Sequence, residues 1–192
     1  MKDALATAFN DASQFLVEAV GLVREEDWGS PGLGTWDLRE LVGHANRSHT
    51  LIEEYILRPQ QPEPPGSAYF SDEAVAARGK QAVAALGKDP LPAVRAASAA
   101  AILLVEATEA DAIVGSPAGT MTLYKYLPSR IAELTVHGLD ITRAVGSELS
   151  PPVSALTESL VFVARRSVRK DGAAVLLALS GRGPLPVGYS AY

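Results

Sequence analysis

The chain has three histidines in 192 residues, few enough to weigh each on its own spacing. Glu133 and His137 stand four residues apart in a stretch that predicts a helix. Four residues turn an α-helix by about 400°, so the two side chains lie roughly 40° apart on one face. A carboxylate and an imidazole stacked in this way can grip a single cation. The same spacing also suits a solvated Glu133 beside a hydrogen-bonded core His137. His44 falls between Leu41 and Ser48, beside an apolar stripe and at the edge of the core. His49 is five residues further on, about 500° of turn, so it points roughly 140° away from His44. It shares its flank with Asn46 and Glu53 and is expected at the surface. A straight helix cannot aim both imidazoles at one ion, and the geometry selects His44. Together with the Glu133/His137 pair it makes a set of two imidazoles and one carboxylate. Such a set leaves positions open for water or substrate, as catalytic zinc sites do. These ligand types do not separate zinc from nickel, iron or manganese.

Around this set several residues carry two readings each. Arg47 lies about 60° around the helix from His44 and either anchors an anionic group or is simply solvated. Arg130, one turn before Glu133, anchors an anion or pairs with that carboxylate. Asp140, three residues after His137, either accepts the free ring N–H of that histidine or caps a neighbouring segment. Trp36 walls the site or only packs. Tyr124 and Tyr126 precede the Glu133 helix and are given no role. Ser98, Ser129 and Ser167 sit in no recognisable nucleophile elbow. The run Gly115-Ser116-Pro117-Ala118-Gly119 lacks the lysine and helix context of a phosphate loop and reads as a turn.

The elements that must position these residues are mostly helices. Leu5, Phe9, Ala12, Leu16, Ala19 and Val23 give residues 3–23 an amphipathic helical period. Glu25-Glu26-Asp27 and Gly29-Ser30-Pro31-Gly32 break it. Thr35 is the expected N-cap of a second helix from Trp36 to about Leu57, with Asp37 favourably placed in its first turn. Pro59 stops that helix, and residues 58–70 form a proline-rich loop. Ser71 caps a helix over 72–87, and Pro90 and Pro92 open an alanine-rich one reaching about Glu109. Residues 111–123 predict a short hairpin, followed by a helix from about Pro128 to Val145 that Gly146 ends. Pro151 and Pro152 start a helix to about Lys170, and a short final helix ends at Gly181. The pattern predicts one all-α domain over residues 1–192: an up-and-down four-helix bundle with a short β-hairpin and extra C-terminal helices.

Composition narrows the function. Lys and Arg number 17 against 22 Asp and Glu, a formal charge of −5 with no basic helix, which argues against nucleic acid as a partner. With no cysteine, the chain forms no disulfide, no thiolate metal site and no cysteine nucleophile, so any reacting thiol must come from outside. The N-terminal MKDALATAFNDASQFL does not read as a signal peptide. No stretch approaches the roughly 20 uninterrupted apolar residues of a membrane span. A cytoplasmic location with no membrane partner is expected. Alanine-rich helix flanks suit a monomer or a homodimer equally.

The segment Trp36-Asp37-Leu38-Arg39-Glu40-Leu41-Val42-Gly43-His44 resembles a motif of the DinB-like metalloprotein superfamily, where a Trp opens a helix that carries the first metal-binding His. The nearest likeness is to the N-terminal domain of the mycothiol-dependent maleylpyruvate isomerases. Arg130-Ile131-Ala132-Glu133-Leu134-Thr135-Val136-His137-Gly138-Leu139-Asp140 resembles that family's second signature, and Leu177-Ala178-Leu179-Ser180-Gly181-Arg182-Gly183 its C-terminal helix and tail. The resemblance implies a DinB-like four-helix bundle with His44, Glu133 and His137 as ligands of a divalent metal, zinc foremost. It also implies mycothiol or a similar thiol as cosubstrate, coordinated through sulfur. The expected activity is a thiol-dependent transferase or isomerase reaction on a small electrophile. Complete isomerases of the family carry a further C-terminal domain, whereas this chain ends soon after the bundle. The resemblance therefore implies the class of chemistry rather than maleylpyruvate as the substrate. The rival readings are a non-catalytic metal-binding domain and a metal-dependent hydrolase.

Overall fold

Phe9, Ala12, Leu16 and Ala19 recur at helical spacing and are fully buried along one side of α1 (Lys2–Gly21). The computed structural model describes residues 2–59, 71–116, 119–168 and 170–191. Most of the proline-rich loop expected over 58–70 lies outside these residues. After α1 the chain makes a 3-10 turn over Glu25–Asp27, then a small antiparallel pair, β1 (Pro31–Leu33) and β2 (Trp36–Asp37). Gly32 is required there, because a Cβ at that position would sit 2.8 Å from the Asp37 carbonyl oxygen.

Helix α2 (Leu38–Leu57) is capped by Asp37 rather than by the expected Thr35. The Asp37 carboxylate accepts from the Glu40 N–H at 2.7 Å, and the Glu40 carboxylate accepts from the Asp37 N–H at 3.1 Å. This reciprocal box satisfies two of the orphan donors at a helix start. The cap falls two residues later than expected because Trp36 and Asp37 are still paired to β1. Helix α3 (Asp72–Ala85) begins at the expected cap Ser71. Helix α4 (Pro90–Ala107) has Asp89 as cap and Pro90 in its first turn. Among the described residues α4 alone has the length and apolar content of a membrane-crossing segment. Its buried residues Val94, Ser98, Ala101 and Val105 pack within the bundle.

The expected hairpin is present as β3 (Ile113–Ser116) and β4 (Gly119–Thr122), paired from Ile113↔Thr122 to Ser116↔Gly119. Helix α5 runs from Leu123 to Ala144, starting a full turn before the expected Pro128. A proline inside a helix removes one backbone bond. Here Leu123, Tyr126 and Leu127 are buried, and the first N–H groups find tertiary partners: Leu123 donates to the Ala112 carbonyl and Tyr124 to that of Ala110. Burial and these bonds outweigh the interruption. Gly146, at φ +67°, closes the helix as expected. Helices α6 (Val153–Ser167) and α7 (Gly172–Leu179) follow.

The core is a ring of four helices. Helix α5 packs against α1 and α2, and α4 packs against the same two, so α1 faces α2 across the bundle. Helix α6 lies along α1 and α5, α7 rests on α6, and α3 flanks α2. The Arg39 guanidinium donates to the carbonyls of Gly87 and Lys88. Four residues further along α2, a Cβ on Gly43 would come 3.2 Å from the Val83 nitrogen. These two contacts make α3 antiparallel to α2 and bring the level of Gly79 beside Arg47. On the other side of the bundle, Gly138 lets α5 approach Phe15 of α1 more closely than any side chain would allow.

Candidate metal centre

His44 stands two turns into α2, and Glu133 and His137 lie on consecutive turns of α5. Because α2 and α5 are neighbours in the ring, the three side chains meet. Glu133 Oε2 is 3.3 Å from His137 Nε2 and 3.8 Å from His44 Nε2, the latter too long for a hydrogen bond. The His44 and His137 rings meet edge to face with centroids 5.0 Å apart. One donor atom from each residue falls within 4.8 Å of the others. Nitrogen and oxygen donors about 2.0–2.1 Å from a shared tetrahedral cation stand about 3.4 Å apart. The trio therefore fits such an ion with small side-chain adjustments.

The partners around the trio fix it unequally. His137 is mostly buried, and its second nitrogen, Nδ1, lies 3.1 Å from Asp140 Oδ2. That is the carboxylate–histidine arrangement that fixes ring orientation and tautomer. It resolves the two readings of Asp140 in favour of the histidine. Burial pushes the His137 imidazole down, but hydrogen bonds to Asp140 and Glu133, with the charges of both, raise it to about 9. Burial pushes the Glu133 carboxyl up. The contacts with His137 and His44 and the charges of Arg130 and His137 outweigh it and hold the carboxyl well below the usual carboxylate range. Glu133 thus stands as an anion, while His137 carries a proton that a bound cation would displace.

His49 is corrected by the structure. It was expected at the surface, yet it is completely buried. Its Nδ1 lies 3.1 Å from Asn46 Oδ1, and its ring meets the edge of Phe9, centroids 6.4 Å apart. The reason is coverage: α2 touches α3, α4 and α5, so half of its residues are buried rather than one stripe. The angular argument against His49 as a partner of His44 still holds. Desolvation lowers its imidazole to about 3.

His44 and Glu133, with His137 behind them, open onto a cavity of about 790 Å³, the size of a small-molecule site. Trp36, His44, Arg47, Arg130 and Glu133 all line it. Among the described residues its charged lining is six cations, Arg47, Arg78, Lys80, Lys125, Arg130 and Arg166, against two acids, Glu40 and Glu133. Tyr55, Tyr126 and Phe162 supply aromatic surface. Arg130 lies 5.2 Å over the Tyr126 ring, and its Nε donates to Ser129 Oγ at 3.2 Å. Sequence spacing pointed to Arg47 and Arg130 but not to Arg78, Lys80, Lys125, Arg166 or Phe162. Most of these reach the cavity from α3 and α6, which share no motif with the trio.

A helical bundle with two imidazoles and a carboxylate converging from neighbouring helices defines a protein of the DinB-like class, and the trio suggests a divalent metal. Residues 9–142 match the model of the mycothiol maleylpyruvate isomerase N-terminal domain, and the chain belongs to that family. No curated protein and no solved structure shows significant similarity to it.

Proposed function

We propose that this protein is a divalent-metal-dependent transferase or isomerase that uses a low-molecular-weight thiol, mycothiol or a close relative, on a small anionic electrophile. The observation that carries the reading is the meeting of His44, Glu133 and His137, two of which line a cavity rich in cations. His44, Glu133 and His137 would hold the divalent metal, with zinc the first candidate and nickel, iron or manganese also suited to the set. A cation there supplies Lewis acidity, which lowers the pKa of a thiol that reaches it. Family membership supports a thiol as the nucleophile, and a chain without cysteine must take that thiol from solution. Asp140 holds the proton of His137 on Nδ1, leaving Nε2 free to ligate. Arg47 and Arg130 stand one turn from His44 and Glu133 and would orient an acidic group of the electrophile toward the sulfur. The cationic wall is the more telling because the whole chain carries a formal charge of −5.

Thermal unfolding of the zinc-loaded protein with and without mycothiol tests the thiol. Saturating thiol, a hundredfold above its Kd, stabilises a binding protein by about 2.7 kcal/mol, so the midpoint should rise by several degrees. The matching alcohol analogue should do much less. If mycothiol and related thiols leave both the midpoint and the spectrum of a cobalt-substituted protein unchanged, the thiol-dependent reading fails and a hydrolase or a plain metal-binding domain takes its place.

A further inference from the structure

The two imidazoles of the trio are held by different forces. His137 has a hydrogen-bond partner on each ring nitrogen, Glu133 on Nε2 and Asp140 on Nδ1. His44 has none on Nδ1 among the described residues, and its side chain is 39% exposed against 13% for His137. An exposed imidazole without a bond on its outer nitrogen is free to rotate about χ2, and rotation swings Nε2 away from Glu133. What lies against the His44 ring is Trp36, with centroids 4.7 Å apart and planes tilted by 37°.

We propose that Trp36 is the positioning residue of His44, doing by ring stacking what Asp140 does for His137 by a hydrogen bond. The inference rests on the metal-binding reading above. Three features support it. The centroid distance lies within the range of favourable aromatic pairs, in a tilted arrangement. An imidazole that donates its lone pair to a cation becomes electron-poor, and the electron-rich face of an indole attracts such a ring more than a neutral one. Trp36 therefore favours the ligating state of His44 over the free one. Finally, Trp36 is not a loose side chain: β2 is paired to β1, Leu38 N–H donates to the Ser30 carbonyl, Arg39 N–H donates to that of Trp28, and the Asp37 box ties the strand to α2. The indole and the imidazole are thus mounted on one rigid corner.

The test compares Trp36→Phe, which keeps a stackable ring, with Trp36→Met, which keeps apolar bulk without one. Packing lost by both variants cancels in the comparison. Each protein is loaded with Co²⁺, and release to excess EDTA is followed through the visible spectrum. Partners of metal ligands typically contribute ten- to a hundredfold in affinity, so Trp36→Met should release cobalt about tenfold faster than Trp36→Phe. In the metal-free state the two variants should unfold at the same thermal midpoint, so that a difference in cobalt release is not a general loss of stability in one of them. Equal release from the two single variants overturns the positioning role while leaving the metal centre standing. Failure of the unmodified protein to take up cobalt overturns the metal reading, and the role of Trp36 with it.

Discussion

Lowering the pH from 7 to 5 should weaken the fold measurably through one residue, His49. Its imidazole is completely buried, and burial lowers its pKa to about 3 against 6.5 in the unfolded chain. A group whose folded pKa is depressed contributes stability that is present above the unfolded value and lost as pH falls toward the folded one. Between those limits the unfolded chain binds a proton that the native protein refuses. The loss at pH 5 depends on the unfolded value alone as long as the native value stays below about 4, and it amounts to about 2 kcal/mol relative to pH 7. Urea unfolding followed by circular dichroism at the two pH values reads it directly. With a slope of about 2 kcal/mol per molar urea, the midpoint should fall by about 1 M from this group. Other groups titrate over the same interval, so the comparison is with His49→Gln, which keeps a donor for Asn46 Oδ1 and does not ionise. The variant should show a smaller drop by about 2 kcal/mol. Parallel pH dependence in the two proteins would show that the native fold accommodates the imidazolium, and the burial argument would fail.

Gly138→Ala should destabilise the fold by about 1 kcal/mol despite the better helix propensity of alanine, because the new Cβ would press on the buried Phe15 ring, 2.7 Å from Cδ1. Adding Phe15→Leu should restore part of the loss, and a thermal midpoint unchanged in the single variant would contradict the packing. Asp140→Asn should weaken zinc binding by ten- to a hundredfold in calorimetric titration with little change in folding, since it loosens His137 rather than the core; unchanged affinity would remove Asp140 from the site. Asp37→Ala breaks the capping box of α2 and should lower stability by about 1 kcal/mol, a drop of about 3 °C in the midpoint. A shift below one degree would mean the β1–β2 pair alone fixes that helix start.

The trio was legible in the sequence because its information is local twice over. Glu133 and His137 are one helical turn apart, and His44 differs from His49 by an angle that a straight helix fixes. What failed to show was coverage. One periodic stripe suggested one buried face for α2, yet neighbours on three sides enclose it, and His49 and Asn46 went inside with the apolar residues. Pro128 misled for a related reason: its missing N–H marked a helix start, while the buried Leu123 and Tyr126 and the carbonyls of Ala110 and Ala112 carried the helix a turn further back. Arg78, Lys80 and Arg166 were invisible as a group because nothing in their spacing ties them together. Only the antiparallel docking of α3 on α2, fixed by Arg39 and the small Gly43, brings the first two beside Arg47.

The central claim is that His44, Glu133 and His137 bind one divalent cation, and elemental analysis of the purified protein tests it most directly. The account predicts a stoichiometric divalent metal, zinc first, in the unmodified chain, with nearly all of it lost in both His44→Ala and Glu133→Ala while both variants stay helical. Metal content that survives either substitution undiminished would place the ion elsewhere and contradict the account.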